Sequence, residues 1–196
     1  AVIALLTWWS CNAFIPTITV GLARQAAERM PGADPAVLGE QWKAIGTNAF
    51  NLGGLIGTLL TVPAARILGR RKMFSTYFVA SAVSIMLVFG MPFDPYVKLY
   101  MYFPMGLAVF GVFGAFTYYL TELYPTRLRA TGSGFTYNAG RVIAAAGPFV
   151  VGSIAAAGTD ALSTATTLLF YVGFVPLVGL LAMPWVVETK GRALPA

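Results

Sequence analysis

Apolar residues fill long stretches of this chain, and polar residues collect in short breaks between them. A helix needs about 20 apolar residues to cross a hydrocarbon core about 30 Å thick. Six runs are that long, at about 2–23, 43–68, 73–91, 97–124, 131–157 and 162–187. They predict an all-α membrane protein with six transmembrane helices. The runs are too long for barrel strands and lack a strict apolar/polar alternation. Pro16, Pro63, Pro104, Pro148 and Pro176 interrupt them. Membrane helices tolerate such breakers where neighbouring helices or hydroxyl side chains satisfy the freed backbone groups.

Composition agrees. Hydrophobic residues make up 58% of the 196 residues and charged ones 10%, against about 25% charged in soluble domains. A water-facing surface cannot be built from that. There is no histidine and one cysteine, Cys11. An internal disulfide and multi-histidine or multi-cysteine metal sites are therefore excluded. Nothing assembles a nucleophile, a base and an orienting group, so the expectation is no enzyme and no cofactor. No nucleic-acid partner is expected either. The chain begins inside an apolar run, without a charged leader or small-residue cleavage site. No signal peptide is expected, and an upstream part of the protein is expected to be missing.

The net charge of +6 matters less than its distribution. Arg66, Arg70, Arg71, Lys72, Arg127, Arg129, Lys190 and Arg192 fall in alternate connections and at the end of the chain. The opposite connections hold Arg24, Arg29, Lys43 and Lys98, offset by Glu28, Asp34, Glu40 and Asp94. The positive-inside bias places the basic loops and both ends of this segment in the cytoplasm, in the plasma (inner) membrane. The long connection 24–41 then lies outside, with Asp34-Pro35 as a turn.

Arg141 is the charge that fits topology least. Counting from about 131 at 1.5 Å per residue puts it roughly 15 Å into its span. A cation there costs at least about 2.5–3.5 kcal/mol on insertion scales, so it should face a cavity or a partner. Gly134, Asn138, Arg141, Ala145 and Pro148 follow one another along a helical face, with Tyr137 one turn from Arg141. Arg141 either binds a substrate carboxylate, helped by Asn138 and Tyr137, or pairs with an acid or carbonyls elsewhere in the protein. Its planar, permanently charged fork suits a carboxylate.

The second span carries Thr47, Asn51, Gly54, Thr58 and Thr61 on one stripe, with Asn48 beside it. These residues either line a pathway or hydrogen-bond between helices, and Gly53-x-x-x-Gly57 is a close-packing motif. On the first span, Trp8, Asn12, Ile15 and Thr19 recur at similar spacing. Trp8 is a stacking residue or an interfacial anchor. The fourth span is rich in aromatics (Phe103, Phe110, Phe113, Phe116, Tyr118, Tyr119), a composition more often used for packing. Away from span ends no Asp or Glu occurs, so a proton-coupled cycle would need its titrating carboxylate in another part of the protein.

Three motifs carry a resemblance. Residues 122–129 (ELYPTRLR) resemble the segment after the tenth helix of sugar-porter-like members of the major facilitator superfamily. Residues 188–194 (ETKGRAL) are similar to the close of their twelfth helix, and Gly69-Arg70-Arg71-Lys72 to the turn between their eighth and ninth. Their order and spacing cover essentially the whole chain as the C-terminal six-helix half of a facilitator fold, with the N-terminal half absent. Tyr137-Asn138-x-Gly-Arg141 resembles the branch of organic-acid and sialate proton symporters. One departure stands out: Arg66 occupies a place near the turn where that family usually has an acid.

The resemblance implies alternating-access transport of a small organic anion, an aromatic or sugar acid, with H+ as coupling ion and substrate held between the halves. A sugar or polyol transporter is the alternative, and a non-transporting membrane sensor or scaffold a further one. Candidate substrate contacts are Arg141, Asn138, Tyr137, Asn51, Asn48, Asn12 and Trp8. Arg70, Arg71, Glu122, Arg129, Glu188 and Arg192 are candidates for a cytoplasmic gate. Singly, surface ion pairs are worth about 0–1 kcal/mol; a set formed in one state only biases a two-state equilibrium.

Overall fold

A computed structural model describes residues 1–158 and 160–192. Those residues form helices α1 (Val2–Ala27), α2 (Pro35–Leu68), α3 (Arg70–Gly90), α4 (Pro95–Val109), α5 (Phe113–Glu122), α6 (Arg129–Ala144), α7 (Ala146–Ala157), α8 (Ala161–Val172) and α9 (Val175–Leu181). Short 3-10 turns cover Thr126–Leu128 and Met183–Trp185, and no strand occurs among the described residues. Joined across their breaks, the helices give six spans long and apolar enough to cross a membrane: Val2–Ala27, Pro35–Leu68, Arg70–Gly90, Pro95–Glu122, Thr126–Ala157 and Ala161–Leu181. The protein is an all-α, multi-pass integral membrane protein.

The breaks have local causes. Pro148 cannot donate to Ala144, and the fifth span is interrupted at Ala145. Pro176 cannot donate to Val172, and α8 gives way to α9 through Gly173 and Phe174. In the fourth span the hydrogen-bond ladder slips around Phe110–Val112. Gly111 N–H reaches back to Gly106, and the Phe113, Gly114 and Ala115 N–H groups donate three residues back. That break lies six residues beyond Pro104, where Gly111 presses against Gly57 of α2.

The second span departs most from the reading of apolar runs. Helix α2 starts at Pro35 rather than near residue 43, because Asp34 Oδ1 accepts from Ala36 N at 2.8 Å and Pro35 occupies the first turn. Asp34-Pro35 is thus a helix start. Since α1 also runs on to Ala27, the connection between α1 and α2 shrinks to 28–34.

Glycines set the tightest seam, between α2 and α4. A Cβ on Gly53 would strike the Phe103 carbonyl, one on Gly57 the Leu107 carbonyl, and one on Gly106 the Phe50 carbonyl. Small residues let two membrane helices approach backbone to backbone, so the Gly53/Gly57 pair is a packing motif. Around this seam lie two apolar clusters. One gathers Ile15, Trp42, Phe50, Phe89, Tyr102 and Met105; the other gathers Met73, Phe74, Phe78, Val112, Phe116 and Tyr119. Large apolar side chains also point outward: Phe135, Val142 and Phe149 are each about three-quarters exposed. In water that would be a liability; against lipid or another helical body it is not.

Candidate functional site

Two polar regions stand out from the apolar bundle. The first lies where α2 turns into α3. Gly69 makes that turn at φ 83°, a backbone region that favours glycine. The Glu188 carboxylate sits where a Gly69 side chain would go. It accepts from Arg70 N (2.9 Å), Arg71 N (3.1 Å) and Lys190 N (3.0 Å). An acid from the far end of the chain thereby caps the N-terminus of α3, where the helix dipole favours negative charge. Two residues on, Lys190 Nζ donates to the Ile67 carbonyl at 2.9 Å, at the negative C-terminal end of α2. Residues 188–190 thus staple both sides of one turn with charges of the right sign.

Glu122, at the end of α5, completes the knot. Arg70 Nη2 and Nε donate to its two oxygens at 2.5 and 3.1 Å, and Thr189 Oγ1 adds a further donor. Both side chains of this forked pair are only about 15% exposed. The Arg70 guanidinium also lies 5.7 Å from the Tyr118 ring centroid. Arg71 Nε donates to the Val186 carbonyl at 2.6 Å, and Tyr119 OH to Val187 at 3.1 Å. Burial alone would raise the Glu188 carboxyl. The three N–H donors and the nearby Arg70 charge outweigh it, and Glu188 is held below the ordinary carboxylate value of 4.5.

Of the candidate gate residues, Arg70, Arg71, Glu122 and Glu188 therefore meet in one cluster. Arg129 begins α6, half-buried, and its carbonyl accepts from Ser133. Arg192 is exposed, its backbone N–H closing a turn onto Thr189. Sequence reading missed Lys190 and Thr189 as partners in this cluster. Both sit in the ETKGRAL motif, the one signal that pointed to them.

The second region is the open face shared by α1, α2, α5 and α6. A cleft of about 490 Å³ is lined by Asn51, Thr58, Phe113, Thr117 and Tyr137, among others. A neighbouring one of about 400 Å³ shares Phe113, Thr117 and Tyr137 and adds Ser133 and Gly134. Trp8 packs behind them, with ring centroids 5.3 Å from Phe110 and 5.6 Å from Phe113. Its buried indole N–H has no hydrogen-bond partner among the described residues. Asn12, one turn along α1, is half-buried; Asn48, one turn before Asn51, is exposed.

Asn138 and Arg141 follow Tyr137 on α6 and are both exposed. Asn138 Nδ2 donates back to the Gly134 carbonyl at 2.9 Å, which leaves its oxygen free to accept. Arg141 stands at the midpoint of the span Thr126–Ala157. The structure thus joins Asn51 and Tyr137 around one cleft, with the Trp8 ring tilted against the Phe110 and Phe113 rings behind it. It sets Asn138 and Arg141 beside that cleft rather than in its lining. Thr117 is a cleft residue that sequence reading did not single out; a lone threonine among aromatics gives no pattern.

A family model described as "Sugar (and other) transporter" matches residues 25–129, more than half of the chain. The chain belongs to this major facilitator family. It is similar to a putative metabolite transport protein of Haemophilus influenzae, 30% identical over 143 residues (72% of this chain, 34% of the relative). It is also similar to a probable 4-methylmuconolactone transporter of Cupriavidus pinatubonensis, 26% identical over 165 residues (82% and 38%). A cis,cis-muconate transport protein of Acinetobacter baylyi is 30% identical over 135 residues (66% and 32%). The chain spans about a third of the length of these curated relatives.

Proposed function

We propose that this chain is the C-terminal six-helix half of a secondary transporter that carries a small organic anion by alternating access. The observation that carries the reading is Arg141, an exposed guanidinium at the midpoint of a spanning helix. A charge at that depth is costly unless it faces a cavity, a partner or a ligand. Facilitator halves hold substrate near the midplane between them. On this reading Arg141 holds a carboxylate by its fork, and the Asn138 and Tyr137 side chains steady the same substrate. Asn51, Asn48, Asn12 and Trp8 surround the rest of it. The muconate and methylmuconolactone names of two relatives favour an organic acid.

A neutral sugar or polyol is the second reading. It is supported by the family's own description and by the Asn51 amide in the cleft. Coupling to H+ would draw on a carboxylate of the N-terminal half. In this proposal the knot of Arg70, Arg71, Glu122 and Glu188, with Arg129 and Arg192 nearby, closes the cytoplasmic side. Both ends of the segment are cytoplasmic, in the plasma (inner) membrane.

The deciding experiment is uptake of labelled cis,cis-muconate by proteoliposomes holding the full-length protein that contains this segment, with and without a pH gradient. Arg141→Lys should weaken affinity, because an ammonium lacks the fork, and Arg141→Gln should weaken it further. A membrane-inserted Arg141→Gln protein with unchanged affinity leaves the arginine as structural glue. Topology has its own check: an impermeant thiol reagent should reach Asp34→Cys in intact cells but not Lys72→Cys, and the reverse pattern inverts the orientation.

A further inference from the structure

At the end of the bundle away from the Arg70 knot, a pocket of about 230 Å³ opens between α1, α3, α4 and α8. Its polar wall comes from Lys98 and Tyr102 on α4, Gln25 near the end of α1, and Asp160 and Ser163 at the start of α8. Lys98 and Tyr102 are four residues apart, so their polar ends point to the same side of α4. Tyr102 is fully buried, and its hydroxyl has no hydrogen-bond partner among the described residues. A buried hydroxyl left unpaired is unfavourable, and such groups normally have a protein or solvent partner. Lys98 is half-buried and makes no ion pair among the described residues. Its nearest acid in sequence, Asp94, is engaged by Arg29 at 3.0 Å and caps α4. An unmatched ammonium and an unmatched phenol therefore share one small pocket with an apolar floor that includes Phe89 and Leu162.

We propose that this pocket is a second ligand site, distinct from the α6 face, and that it binds a small monocarboxylate through Lys98 and Tyr102. The ammonium supplies the charge, and the phenol donates a hydrogen bond to the same carboxylate. Gln25 and Ser163 contribute further donors at the mouth. Asp160 sets the selectivity. Its Oδ1 caps α8 by accepting from Leu162 N at 3.1 Å, and its negative charge stays at the rim. A second carboxylate on the ligand would be repelled there, so a monoanion is preferred to a dianion. A bound carboxylate ties α8 to α4 and α1. Nothing in this site depends on what the α6 face transports.

Saturation-transfer NMR with benzoate tests it on the full-length protein in nanodiscs, in an Arg141→Gln background so that the α6 face contributes least. Benzoate should still give signal there, and phthalate should compete less well than acetate. Adding Lys98→Met should weaken benzoate by about tenfold or more, the scale of a lost charged hydrogen bond, and Tyr102→Phe by roughly fivefold. Tyr102→Phe keeps the buried ring, so it separates binding from folding. No benzoate signal in the Arg141→Gln background overturns the proposal, as does a signal indifferent to both α4 substitutions. Muconate uptake by the wild-type protein is read separately, so the site and the transport reading fail independently.

Discussion

The Arg70 knot and the α6 face are both polar islands in an apolar bundle, but they are wired in opposite senses. In the knot the carboxylates of Glu122 and Glu188 accept six hydrogen bonds between them, from Arg70, Arg71, Thr189 and Lys190. On α6, Asn138 bonds back along its own helix and to nothing else among the described residues, and Arg141 stands exposed in mid-span. Polar groups that find partners within the chain fix the shape of the chain. Polar groups held out in mid-span without partners among the described residues are costly there, and that cost is what the proposed function builds on.

The sharpest way to break that contrast is to unpair the knot. Arg70→Met leaves the Glu122 carboxylate largely buried without its cation. The expected loss lies between surface-pair and buried-pair values, about 2–3 kcal/mol, read as a lower thermal midpoint of the full-length protein. Adding Glu122→Gln should restore part of it. A double-variant loss equal to the sum of the Arg70→Met and Glu122→Gln losses would mean the pair is not coupled.

Next comes Arg141→Gln, where the effect should fall on ligand rather than fold. On the proposed function, a charged hydrogen bond worth about 1.5–3 kcal/mol is lost, so affinity for a muconate probe should drop roughly 10- to 100-fold with the thermal midpoint nearly unchanged. A large loss of stability would move Arg141 to the structural side of the comparison.

Removing the cap by Glu188→Ala should cost about 1 kcal/mol, the usual worth of an N-cap. The smallest effect is one of pH. The Glu188 carboxyl is held below 4.5, so its contribution is fully present above that value and is lost only as pH falls through the lowered one. Between pH 5 and 8 the wild-type and Glu188→Gln stability curves should run parallel, diverging below about 4.5. Divergence near neutrality would contradict the depressed value.

Six spans were legible because length and apolarity alone define them. The early start of α2 was not, since residues 35–42 lie outside the apolar run and are helical through the Asp34 cap and Pro35. Breaks at Ala145 and Gly173 follow from Pro148 and Pro176, which the sequence displays. The break at Phe110–Val112 follows from Gly111 lying on Gly57, a contact across 54 positions that no local pattern reveals. The same holds for Glu188. ETKGRAL marked it as notable, but its work as a cap for α3 appears only once residues 70 and 188 are neighbours. On the α6 face, spacing grouped Tyr137, Asn138 and Arg141, and the fold added Asn51 and Thr117 from other helices.

The glycine seam has a mechanical consequence. Where Gly53, Gly57 and Gly106 bring α2 and α4 into backbone contact, there is no layer of side chains to shear. Two helices so joined act as one stiff beam over the length of α4, Pro95–Val109. Bending is then left to the joints where the ladder is already interrupted, at 110–112, 145 and 173–174. Two of those joints adjoin the helices that carry Phe113 and Arg141, so flexure there would tilt the cleft and the arginine against a fixed spar.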